Sequence, residues 1–135
     1  MQRAAYDPGM PAKPGPSVQI FGLVDSRPTQ AALRFFKERR VATHFVDLRR
    51  KALAPGELRR FVERLGARAL ADEDGKVWRE AGLGYMRMDD AELAVRLLGD
   101  ARLLRLPLVR RGNDVTAGEA EAAWKAWLEP PPVTT

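Results

Sequence analysis

The stretch from Val18 to Leu48 constrains this chain most, because a strand, a helix and a second strand follow one another with almost no spacer. Val18-Gln19-Ile20-Phe21-Gly22 is rich in the β-branched and aromatic residues that suit a pleated, half-buried surface. A helix is predicted from about Pro28 to Arg40, with Ala32, Leu33, Phe35 and Phe36 forming a broad apolar side. Pro28 suits its first turn, where a missing N–H costs nothing. Val41 to Leu48 then reads as a second strand. Two strands joined through one helix lie parallel, which makes this a βαβ unit and sets the class as α/β.

Pro55 opens a second helix in which Leu58, Phe61, Val62 and Leu65 recur at i, i+3, i+4 and i+7, and Gly66 ends it. A short segment Ala67 to Asp72, a turn at Glu73-Asp74-Gly75, the pair Val77-Trp78 and the loop Gly82-Leu83-Gly84 come next. Asp89 or Asp90 is expected to cap a further helix whose buried stripe is Leu93, Ala94, Leu97 and Leu98, stopped by Gly99. Leu106 to Arg110 and Asp114 to Thr116 bracket Arg111-Gly112-Asn113, a hairpin signal. From Gly118, residues Ala120, Ala123, Trp124, Trp127 and Leu128 give a terminal amphipathic helix, broken at Glu129-Pro130-Pro131-Pro132. The sum is βαβ, helical insert, ββα in one domain over residues 18–128, with a core of 18–50 and 101–128 and an insert of 51–100. Residues 1–17 read as a flexible extension and 129–135 as a tail.

Composition removes several classes. No run approaches the roughly 18 apolar residues that span a bilayer, and the first residues carry no apolar signal core, so the expected setting is the cytoplasm. One histidine and no cysteine leave no zinc set. Gly82-Leu83-Gly84 lacks the third glycine and preceding strand of a dinucleotide loop, and no calcium-loop spacing occurs. Charge is uneven: residues 34–68 hold eleven Lys or Arg against four acids, residues 69–100 four against eight. Such asymmetry can steer an acidic partner, although the plain reading is a solvated helix surface. No RNA-binding motif with interleaved aromatics accompanies it, so direct nucleic-acid binding is not expected.

The first strand runs through Val24-Asp25-Ser26 into the helix start, and His44-Phe45-Val46-Asp47-Leu48-Arg49-Arg50, Leu53-Ala54-Pro55-Gly56-Glu57-Leu58, Trp78-Arg79 and Pro107 follow in order. That order resembles the arsenate reductase (ArsC) and Spx family over roughly residues 18–128. The resemblance implies a thioredoxin-like, glutaredoxin-like fold: a mixed four-stranded sheet with helices on both faces and the helical insert between its halves. It also implies a nucleophilic cysteine at the end of strand one, where this chain has Ser26. A helix N-terminus lowers a thiol pKa, but a serine forms no disulfide or sulfur–arsenic bond, and disulfide exchange needs sulfur. A serine nucleophile needs an adjacent base, and nothing local places His44, the sole histidine, against Ser26. The plain role of Ser26, or of Asp25, is to cap the helix.

The family also carries an Arg-Pro step with a cis proline before the third strand. Here Pro107 is kept, Leu106 takes the arginine position, and Arg105 lies one residue earlier, where alternation in an extended segment points its side chain away. A cis Leu106–Pro107 bond is expected. Further arginines that hold the oxyanion in reductases are replaced by Asp72-Glu73-Asp74 and Thr116-Ala117-Gly118. The resemblance therefore implies no catalytic residue, no metal, and Asp25, Ser26, Arg105, Leu106 and Pro107 as ligand-binding candidates. Two readings follow. The first is a lapsed reductase kept as a binding or regulatory module, its basic helices contacting the RNA polymerase α subunit as in Spx-type relatives. The second is a glutathione-dependent enzyme or small-thiol binder in which Leu106 and Pro107 offer a backbone amide and carbonyl. Glutathione is then the only cofactor in prospect.

Overall fold

The computed structural model describes residues 17–129, so most of the expected extension and tail lies outside the described residues. Strand β1 (Val18–Gly22), helix α1 (Arg27–Glu38) and strand β2 (Thr43–Asp47) form the opening unit. Helices α2 (Pro55–Leu65), α3 (Lys76–Glu80) and α4 (Asp90–Gly99) make up the insert with two short 3-10 turns, and a third 3-10 turn (Ala101–Leu103) follows it. Strands β3 (Leu108–Arg111) and β4 (Asp114–Ala117) and helix α5 (Glu121–Leu128) complete the chain. The sheet order is β2-β1-β3-β4, with β1 and β2 parallel and the other pairs antiparallel.

This is the predicted mixed four-stranded α/β sheet, with the boundaries moved by one to three residues. Val77-Trp78 proves to lie in a single helical turn, and Gly99 is the last residue of α4 rather than its stop. Asp89 caps α4 through a full capping box with Glu92, two hydrogen bonds of 3.0 and 2.8 Å.

Alternation along β1 splits the core in two. Val18 and Ile20 face α1 and α5, where they meet Ala32, Phe35, Phe36, Val109 and Trp124. The Trp124 ring stands 5.4 Å from both phenylalanine rings, and its indole N–H donates to Thr116 Oγ1 at 2.9 Å, so its one polar atom is satisfied. Phe21 and Leu108 face the other way, toward Leu58, Phe61, Leu70, Trp78, Leu93 and Leu97 of the insert. The insert is thus the second layer of the domain and shares its core. No helix among the described residues is long and apolar enough to cross a membrane.

Candidate functional site

Gly22 ends β1, and its missing side chain is required: a Cβ there would stand 2.4 Å from Thr29 Oγ1 and 2.6 Å from Thr29 Cγ2. This close approach lets the chain leave the strand and enter α1 at once. Ser26 takes the N-cap, with an extended backbone and its hydroxyl accepting from Thr29 N–H at 3.3 Å. Its oxygen therefore has a structural duty.

A cleft of about 630 Å³ opens beside this junction, lined by Asp25 and Ser26, by Arg49, by Asp72, Arg102, Arg105 and Leu106, and by Glu119 among others. Four of the five predicted ligand-binding candidates are brought together there. Pro107 is not: it is buried behind the wall, and its carbonyl accepts from Gly118 N–H at 2.9 Å. The same N–H is shared with Arg105 O, also at 2.9 Å. Leu106 carries no backbone hydrogen bond among the described residues, so its N–H and C=O are unspent. The Leu106–Pro107 bond is cis, as expected.

Arg105 corrects the sequence reading. Alternation would turn its side chain away, yet it lines the cleft. The cause is that residues 105–107 form no strand. Leu104 makes only an isolated bridge with Ala71, Arg105 N–H donates to Leu70 O at 2.7 Å, and the chain bends at Leu106. The guanidinium then donates to Ala71 O at 3.1 Å. Gly118, at φ 76°, leaves room for the stem, since a Cβ there would meet Arg105 Cγ and Cδ at 3.0 and 3.1 Å. Of the acids at 72–74 only Asp72 lines the cleft; Glu73 faces Arg68 at 3.6 Å.

Arg49 and Arg102 were missed as site residues. Arg49 follows β2, and parallel pairing of Gly22 with Asp47 sets both strand ends side by side. A parallel βαβ unit implies that juxtaposition, so the signal was available. Arg49 meets Asp25 at 2.8 Å, and both are well exposed. The hydrogen bond from Arg49 holds the Asp25 carboxyl below the usual carboxylate range, and the Asp25 carboxylate raises Arg49 in turn. Arg102 is engaged with Asp100 through two hydrogen bonds, of 3.0 and 2.8 Å, which lower the Asp100 pKa. Nothing short of the fold places Arg102 here.

His44 lies exposed on β2, paired in register with Gln19, while Ser26 lies past the opposite end of β1. It cannot serve Ser26 as a base. Among the described residues no cluster of His, Asp or Glu is placed to hold a metal.

The profile of the ArsC family matches residues 27–127, well over half of the chain. No curated protein matches it. Among solved structures, the YFFB protein superposes with a TM-score of 0.77 at 19% identity, covering 84% of this chain and 100% of the other. An ArsC family related protein from Bacteroides fragilis gives 0.73 at 18% identity over 82% and 96%. An arsenate reductase from Vibrio cholerae gives 0.67 at 19% identity over 76% and 90%. At these identities the likeness establishes the thioredoxin-type fold and nothing finer.

Proposed function

This chain belongs to the ArsC family, and from that premise we propose that it is a redox-inactive binding module whose cleft takes a small acidic thiol peptide of the glutathione class without turning it over. The observation that carries this reading is the open cleft beside Ser26, lined by charges of both signs with Arg105 free of any ion pair among the described residues. Leu106 borders that space without filling it, and its free N–H and C=O suit the backbone of an extended peptide. Ser26 in place of a thiol removes electron transfer through the protein, because the chain holds no sulfur but that of methionine.

Calorimetric titration with reduced glutathione tests the binding half, and heat absent at millimolar ligand would end it. The chemical half is tested with Ser26→Cys. Its thiolate would attack glutathione disulfide, forming a protein–glutathione mixed disulfide and releasing one glutathione thiolate. Mass spectrometry should show that adduct on the variant and none on the parent protein. Arsenate reduction by the parent protein with glutathione supplied would overturn the reading.

A second reading, contact with the RNA polymerase α subunit or another acidic protein, draws on one feature. Arg59, Arg60 and Arg64 of α2 are all exposed, and none has an ion pair among the described residues. Co-purification with that subunit, lost when Arg59, Arg60 and Arg64 are replaced together by Glu, is its test.

A further inference from the structure

Charges in the cleft balance in number but differ in commitment. Three arginines and three acids line it: Arg49, Arg102, Arg105, Asp25, Asp72 and Glu119. Arg49 is held by Asp25, and Arg102 by Asp100 outside the lining. Arg105, Asp72 and Glu119 have no ion pair among the described residues. Arg105 spends one N–H on Ala71 O and keeps the rest of its five. The uncommitted set is therefore one guanidinium and two carboxylates lining the same cleft.

We propose that this set selects a zwitterion, pairing a ligand carboxylate with Arg105 and a ligand ammonium with Glu119 and Asp72, and that it discriminates against inorganic oxyanions. The inference rests on the binding reading above and adds the ligand's required amine to it. An arsenate or phosphate ion would gain one free cation in a cleft that also holds two free carboxylates, and like charges brought into one site repel. An amino acid or short peptide with a free amino group satisfies both signs at once through charge-assisted hydrogen bonds. Gly118 is a positioning residue for this arrangement, since its absent Cβ is what allows the Arg105 stem to cross it.

The test compares three probes by calorimetry at physiological salt: reduced glutathione, glutathione with its amine acetylated, and inorganic arsenate. Blocking the amine should weaken binding about tenfold or more, the scale of one lost hydrogen bond to a charged group. Glu119→Gln should weaken glutathione itself and narrow that gap, Arg105→Gln should weaken both peptide forms, and arsenate should give no heat. Gly118→Ala should act like Arg105→Gln. Because that variant can fail to fold, Arg105→Gln on the exposed side chain carries the decision, with unchanged circular dichroism as its control. Equal affinity for the two peptide forms, an unaffected Arg105→Gln, or arsenate binding more tightly than glutathione would each overturn the inference while leaving the binding module intact. Absence of heat from glutathione would remove both.

Discussion

Two arginine–carboxylate pairs stand at opposite ends of β1, and they are built to different purposes. At the start of the strand Arg110 meets Glu57 at 2.6 Å, with the two side chains only 15% and 18% exposed, and it also donates to Gln19 and to Gly112 O. Beyond its far end Arg49 meets Asp25 at 2.8 Å with 57% and 65% exposed. The first pair ties α2 to β3 and β1 where water is scarce, so every donor needs a fixed partner. The second sits at the rim of the cleft, where water can replace either partner at little cost. The proposed binding cleft lies where ion pairs are cheap to exchange, and the architecture rests on the one that is not.

Breaking the buried pair should have the largest effect. Glu57→Ala leaves Arg110 uncompensated, and a loss of about 2–3 kcal/mol is expected in urea denaturation, discounted from the figure for a fully buried pair because some solvent reaches it. A value close to zero would dissolve the distinction between the two ends. Gly22→Ala probes the cleft end through packing. Its methyl would strike Thr29, which is wholly buried, and about 1–3 kcal/mol should be lost. Ser26→Ala removes the α1 cap, worth about 0.5–1 kcal/mol given its 3.3 Å bond. A thermal melt checks it, and an unchanged melting temperature would mean that the cap contributes nothing to stability.

The smallest effect belongs to the exposed pair. Asp25 is held below its usual pKa in the folded state, so its contribution to stability is complete at neutral pH and fades as pH falls through that lowered value. Carbon-detected NMR of the Asp25 carboxyl should show a midpoint below that of a free aspartate, returning to the ordinary value in Arg49→Ala. The melting temperature of that variant at neutral pH should fall only slightly, less than in any of the three variants above.

Much of the scaffold was legible because it is local. Pro55 at a helix start, Gly66 at its end, an Asp cap at 89 or 90 and the Gly112-Asn113 turn are each decided by a few neighbouring residues. The cleft was half legible. Ser26 and Asp25 are fixed by their place at the strand-to-helix junction, whereas Arg105 was read to the wrong side. Its direction is set by Leu70, Ala71 and Gly118, and the alternation rule has no hold on three residues that form no ladder. Arg102 carried no signal at all, since it enters from the short 3-10 turn after the insert.

Sequence alone determined that this protein has no thiol to offer, that it opens with a parallel βαβ unit, and that a helical insert separates it from a closing hairpin and helix. Those follow from residue identity and from periodicities of two and of three to four, which act within a few residues. Only the tertiary structure decided which charges meet. Glu57 finds Arg110 across 53 positions. Such meetings depend on how strands pair and which layer covers them, and chain distance carries no trace of that.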